Sequence, residues 1–227
     1  MKYDLILFDI DGTLLDFNLT EKNALKETFE EYNFKFNDDI YERYHNINIF
    51  YWKELEKGRI DKDILGYARF DQLFNEYNLK ADSKEFNVKY RKRLGEGAYL
   101  LEGAEEICRY FYGKVKMATA SNGGKDIQLK RIKKVGLDKY MDYMFISEEV
   151  GYNKPDKKYF NYIFNKVGDI PKDKIIIIGD SLTADILGGI NSKIKTCWLN
   201  LTGEKNLENI TPDFEITNIL QLKEIIE

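Results

Sequence analysis

Two hydrophobic rhythms share the 227-residue chain. One is the short unbroken apolar run, seen in Leu5-Ile6-Leu7-Phe8 and Ile175-Ile176-Ile177-Ile178. Such runs fit strands covered on both faces. Residues 115–120, 143–146, 196–199 and 214–216 read as further strands. The other rhythm is an apolar residue every three or four positions, the mark of a helix with one buried face. From residue 20 to 94 it runs alone. Ala24, Leu25, Thr28, Phe29 and Tyr32 form one stripe, with Thr20 as its candidate cap. Ile40, Tyr44, Ile47, Tyr51 and Leu55 form the second, broken by Gly58. Ile64, Tyr67, Phe70, Phe74 and Tyr77 form the third. Phe86, Tyr90 and Leu94 form the fourth, closed by Gly95 and Gly97. Four consecutive helices predict a small bundle.

After about residue 100 helices and strands alternate. Helices are predicted over 104–111, 126–135, 155–167 (with Pro155 in its first turn), from 181 past Ile190, and over 220–226. This alternation predicts a parallel sheet wound on both sides. The first strand precedes the bundle and the others follow it. The chain thus divides into an α/β core of residues 1–16 and 99–227 and a helical domain of residues 17–98, with linkers near 15–19 and 95–101.

Composition narrows the function classes. Charged residues are 33% and hydrophobic ones 43%, the balance of a globular protein. The net charge of −4 gives no footprint for nucleic acid and suits an anionic membrane poorly. No apolar stretch approaches the roughly 20 residues of a membrane span, and Asp4 and Asp9 interrupt the N-terminal run as no signal peptide would. Cys108 and Cys197 are far apart and flanked by apolar residues, so they read as core filler. A cytoplasmic location is the expectation. His45 is the one histidine and reads as partly buried structure. Chemistry must then rest mainly on carboxylates.

The carboxyl ends of the strands carry that chemistry. Asp9 and Asp11 close the first strand two residues apart and leave on one side, followed by a glycine, Gly12. Two carboxylates this close call for a cation, and Mg²⁺ is the usual hard-oxygen partner. A carboxylate can attack phosphorus, and a second can carry the proton. Ser121 and Asn122 end the second strand, Lys154 precedes Pro155, and Asp180 ends the isoleucine strand with Asp185 shortly after. Each has a plain alternative: a turn residue, a solvated lysine, a helix cap. Together they supply the nucleophile, proton carrier, metal site, donors and fixed cation that phosphoryl transfer needs.

The motifs Asp9-Ile10-Asp11-Gly12-Thr13, Ser121-Asn122-Gly123, Lys154-Pro155 and Gly179-Asp180-Ser181 with Asp185 resemble those of the haloacid dehalogenase (HAD) superfamily of aspartyl-phosphate hydrolases. The resemblance spans the chain and includes the helical insertion, which matches the family's small cap. It implies a Rossmannoid core. It makes Asp9 the nucleophile and Asp11 the general acid and base, oriented by Thr13. Ser121, Asn122 and backbone amides at the Gly12 turn would hold phosphoryl oxygens. Lys154 would neutralise nucleophile and phosphate. Mg²⁺ would bind Asp9, Asp180 and the backbone carbonyl of Asp11, with Asp185 supporting from behind.

An acid at position 11 argues against a dehalogenase, whose halide leaving group needs no proton. A phosphonatase would need an imine-forming lysine, and nothing singles out Lys53, Lys57 or Lys62. A phosphosugar phosphatase or β-phosphoglucomutase-like enzyme stays open, with Arg59, Arg69 and the 91–93 run as cationic candidates. Residues 52–60, Arg69-Phe70 and 179–186 are similar to the nucleoside 5′-monophosphatase branch, which implies a small phosphorylated metabolite, a nucleotide, as partner. Trp52 or a neighbouring aromatic is able to stack on a base, but core packing is the preferred reading. The expected assembly is a monomer or weak homodimer. A binding module that kept the fold without the chemistry is the contrasting reading, opposed by the intact carboxylates and Lys154.

Overall fold

The computed structural model describes residues 1–227. The chain folds into two compact units, one of Met1–Phe17 with Ala98–Glu227 and one of Asn18–Gly97.

The first unit is built on six parallel strands: β1 Leu5–Phe8, β2 Lys116–Ser121, β3 Tyr143–Ile146, β4 Ile175–Gly179, β5 Lys195–Leu199 and β6 Phe214–Ile216. They lie in the order β3-β2-β1-β4-β5-β6. The register sets Phe8 beside Thr119 of β2 on one side and Ile178 of β4 on the other. Alternate side chains point to opposite faces of a strand, so the isoleucine run splits. Ile176 and Ile178 join Ile6 and Phe8 in one core layer. Ile175 and Ile177 join Leu5 and Leu7 in the other. The first layer is covered by α5 Ala104–Phe111 and α10 Leu222–Ile226, the second by α8 Lys157–Val167. Both faces of the sheet are therefore dry, which is why its strands read as continuous apolar runs. Cys108 and Cys197 are buried in the first layer, and burial pushes both thiols up to about 12, so they are inert packing.

The second unit holds α1 from Asn18 onward (α1 is Phe17–Glu31), α2 Asp38–Glu56, α3 Lys62–Tyr77 and α4 Ser83–Glu96. Asn37, Asp61 and Asp82 cap the last three, each accepting from the backbone N–H three residues on. Phe70 sits among Tyr44, Phe74, Phe86 and Tyr90, with ring centroids 4.8–6.1 Å apart. Under these rings runs a buried polar chain. Glu21 is fully buried; it accepts from Asn48 Nδ2 and pairs with His45 Nδ1, both at 2.6 Å. Asn48 Oδ1 accepts from Arg69 at 2.7 Å, and Arg69 reaches Asn87 at 3.0 Å.

Several local expectations are corrected. Thr20 does not cap α1: the helix starts at Phe17, and Thr20 is buried inside it. The linker predicted over 15–19 is therefore partly helix. In α3 the buried face is Leu65, Arg69, Phe70, Leu73 and Phe74. The expected stripe was displaced because Tyr67 and Tyr77, which are large enough to look like core, are only half-buried. Pro155 lies ahead of α8, not in its first turn: the Lys154–Pro155 peptide is cis, and Asp156 caps the helix. The closing helix is split into a 3₁₀ turn, Ile219–Gln221, and α10. The segment after β4 begins as a π-helical turn, Leu182–Ile186, before α9 Leu187–Ser192. No helix is long and apolar enough to cross a membrane.

Candidate active site

Parallel sheets offer their ligand site at the carboxyl ends of the strands, where connections leave in opposite directions from a central strand. Here that strand is β1, between β2 and β4. Asp9 continues the ladder past its end, its N–H donating to Ile178 O at 2.8 Å. Two residues on, the backbone folds back: Leu14 and Leu15 donate to Ile10 O, and Gly12 donates to Leu15 O. Gly12 takes φ +77°, and a Cβ there would stand 2.2 Å from Asp180 Oδ2. Only glycine admits both this backbone and so close a carboxylate.

Lys154 is the pivot. Its side chain is 2% exposed. Nζ donates to Asp9 Oδ1 and Asp185 Oδ1, each at 2.6 Å, and to the carbonyl of Ala120. All three ammonium donors are thereby used. Burial works against its charge, but Asp185 and Asp9 more than offset that, so its pKa is raised. Asp185 is set by the π-helical turn; its Oδ2 accepts from the Ser181 N–H at 3.2 Å. Such turns recur at functional sites. Asp180 is fixed through its backbone, whose carbonyl accepts from Trp198 Nε1 at 2.8 Å.

Carboxylate oxygens of Asp9, Asp180 and Asp185 all lie within 4.8 Å of one another. Three carboxylates gather around one ammonium that pairs with two of them, and the excess negative charge has an electrostatic consequence. Burial, then the charge of Asp185 outweighing part of the relief from Lys154, pushes the Asp9 carboxyl up to about 7. Lost hydration and the like charges of Asp9 and Asp185 hold Asp180 well above the usual carboxylate range. The Asp180 side chain is exposed, so the like charges carry more of that shift than lost hydration does. A hard divalent cation answers this surplus, and an all-oxygen donor set of this kind fits Mg²⁺.

The remaining candidates are placed less as expected. Ser121 Oγ accepts from Gly123 N–H at 3.1 Å and Gln128 Nε2 at 3.0 Å, which leaves its hydroxyl proton to donate. Asn122 spends its side chain on the backbone of Lys154, donating to its carbonyl at 2.9 Å and accepting from its N–H at 2.7 Å. It clamps the Lys154 loop with one N–H and its oxygen, which leaves the second N–H of Nδ2 to donate. Thr13 is fully buried, and its hydroxyl has no hydrogen-bond partner, so it does not orient Asp11. Two residues that sequence reasoning missed do so, both on α6 Lys125–Lys134. Gln128 Nε2 donates to Asp11 Oδ2 at 2.6 Å, and Arg131 Nη1 donates to Asp11 Oδ1 at 2.5 Å. Both are 1% exposed. The signal was there: Gln128, Arg131 and Ile132 are the buried face of α6, and two of those three stripe positions are polar.

The cationic candidates of the helical unit have local partners instead. Arg59 pairs with Glu54 at 3.0 Å, Arg93 with Glu96 at 3.3 Å, and Arg69 is held by Asn48 and Asn87.

A parallel α/β sheet whose strand ends gather a lysine, three carboxylates and a separately held fourth defines a hydrolase of the aspartate-dependent kind. The haloacid dehalogenase-like hydrolase profile matches residues 3–193, and the chain belongs to that family. With an acid at position 11 it is, within the family, a phosphomonoesterase. It is 36% identical over 225 residues to YfnB of Bacillus subtilis, named a HAD-hydrolase, covering 99% of this chain and 96% of that one. The crystal structure of YfnB bound to magnesium superposes with a TM-score of 0.96 over the full length of both chains. The chain is also 30% identical over 226 residues to the pyrimidine 5′-nucleotidase YjjG of Escherichia coli, covering 100% and 99% of the two chains. To the pyrimidine 5′-nucleotidase PynA of Streptococcus pneumoniae it is 32% identical over 228 residues, covering 100% and 96%.

Proposed function

We propose that the protein hydrolyses nucleoside 5′-monophosphates, pyrimidine ones foremost, with Mg²⁺ as cofactor and Asp9 as nucleophile. One observation carries the mechanism: Asp9 lies at the tip of the central strand, held by Lys154 and crowded by Asp180 and Asp185. The names of YjjG and PynA carry the substrate class.

In the first step an Asp9 oxygen attacks phosphorus, the bond from phosphorus to the ester oxygen breaks, and Asp11 gives its proton to the departing alkoxide. An aspartyl-phosphate on Asp9 results. In the second step Asp11 takes a proton from water as that water attacks phosphorus. The bond to Asp9 breaks, and inorganic phosphate and the free carboxylate are released. Lys154 holds the Asp9 carboxylate and would balance charge on the phosphoryl group. The Ser121 hydroxyl would donate to a phosphoryl oxygen, where a fixed donor acts without reorganisation; the N–H groups of Gly12, Leu14 and Leu15 are already spent within their own turn. Mg²⁺ held by Asp9, Asp180 and the Asp11 backbone carbonyl would supply the positive charge that keeps Asp9 ionised and offsets that of the phosphate. Asp185 acts through Lys154, with both its oxygens already engaged. The unit of residues 18–97 would serve as the cap that excludes water during the reaction.

The test is a panel of nucleoside 5′-monophosphates and hexose phosphates, assayed for phosphate release with Mg²⁺ and with chelator. Pyrimidine nucleotides are expected to lead, and chelator to abolish turnover. Hexose phosphates leading by a wide margin would overturn the substrate assignment, and turnover in chelator would overturn the metal.

A further inference from the structure

We propose that Arg131 and Gln128 are positioning residues for the proton-carrying carboxylate of Asp11, holding it by both oxygens. This rests on the reading of Asp11 as general acid.

The two residues stand three apart on α6, so they project from one face of the helix. Each takes one oxygen of Asp11, at 2.5 and 2.6 Å. They are also tied to each other, Arg131 Nη1 donating to Gln128 Oε1 at 3.0 Å. Gln128 anchors further to Ser121 Oγ. A Cβ at Gly123 would fall 2.5 Å from Gln128 Nε2, so the glycine after Asn122 makes room for this amide. Burying a guanidinium is costly unless it is paired. Arg131 is among the largest fully buried side chains of the protein, and it forms an ion pair with Asp11. The Asp11 side chain is 27% exposed. The carboxylate is gripped at both oxygens and yet stays partly accessible, as a group kept aligned for a reactant must be. Orientation of this kind is settled before the reaction rather than during it.

Such a role leaves a signature that simple structural support does not. A general acid matters most when the leaving group is a basic alkoxide and least when it is a stable anion such as p-nitrophenolate. The experiment measures kcat/KM, which reports steps up to aspartyl-phosphate formation, across p-nitrophenyl, phenyl and alkyl phosphates including a nucleoside 5′-monophosphate. Arg131→Met and Gln128→Ala are expected to lose on the order of 10²-fold on the alkyl esters and much less on p-nitrophenyl phosphate, steepening the dependence on leaving group. Arg131→Lys, which keeps a charge beside Asp11, is expected to recover part of the alkyl rate. Equal losses across the series, or none, overturn the proposal. If Arg131→Met does not fold, Gln128→Ala decides by the same criterion. Asp11→Asn run in parallel separates the two levels. A uniform loss there removes the general-acid reading itself. A selective loss there, without one in the α6 variants, removes only the positioning role.

Discussion

Two places in this protein bury charged side chains, and they are built on opposite principles. In the helical unit Glu21 is met by His45 and Asn48, and the chain continues through Arg69 to Asn87. The carboxylate is met by a histidine and an amide, and the guanidinium lies one amide further along the chain, so opposite charges are present in balance. At the strand ends Asp9 and Asp185 share the Lys154 ammonium, and Asp180 stands beside them without a cation of its own. Here burial and like charge drive two carboxyls upward, Asp9 to about 7. Balanced burial is what a packed structure can hold on its own. A surplus of one sign at a partly buried site is what a cation and a phosphate, as proposed, would complete. The imbalance, rather than the mere presence of buried acids, separates the reactive region from the structural one.

The same conservative change should therefore act in opposite directions at the two places. Asp9→Asn is expected to lower turnover of p-nitrophenyl phosphate by on the order of 10⁴-fold. In chelator at pH 8 its thermal midpoint should equal or exceed that of the wild type. The sign follows from the raised Asp9 carboxyl: ionisation costs folding energy from about pH 4 up through about 7, and asparagine removes that cost. Glu21→Gln removes a charge that is answered, and its urea midpoint should fall by about 1–3 kcal/mol of stability. Both variants shifting the same way would break the comparison.

Lys154→Met strips the one cation from three carboxylates, and urea unfolding should show a loss of about 3–5 kcal/mol. A smaller effect follows from pH. The hydrogen bond to Glu21 raises the His45 pKa against a partial loss of hydration. A raised base adds stability that is fully present below its unfolded value of about 6.5 and is lost as pH climbs through the folded value. Between pH 5.5 and 9 the wild type should lose more urea resistance than His45→Gln; parallel profiles would show that the pair contributes nothing. The smallest change is expected at Thr13. Its hydroxyl is buried and unpartnered, so Thr13→Val should be neutral or stabilising by up to about 1 kcal/mol, with turnover kept. A large loss of turnover would mean that this hydroxyl acts on Asp11 after all.

The sheet and the strand-end acids were legible because parallel strands buried on both faces write themselves as unbroken apolar runs, and the two clearest of these, β1 and β4, end in the acids. The four helices were legible from their stripes, although Tyr67 and Tyr77 displaced the third. What stayed hidden was polar burial. Glu21, Asn48, Arg69, Gln128 and Arg131 occupy core-facing helical positions, but a charged residue beside an apolar stripe normally lies on the solvated side. Only partners distant in sequence, such as Asp11 for Arg131, reveal the burial. The task of Asn122 was equally unreadable, since its partner is the backbone of Lys154, thirty-two residues away. The excess of acid over base at one point in space likewise exists only after folding.

That excess is most directly tested by following the thermal midpoint at pH 8 as Mg²⁺ is added, in wild type and in Asp180→Asn. Binding to the folded state alone adds about 2.7 kcal/mol at a hundredfold excess over Kd. The wild-type midpoint should climb with Mg²⁺ while that of Asp180→Asn stays nearly flat. An equal climb in both, or none in the wild type, would contradict a cation site built from these carboxylates.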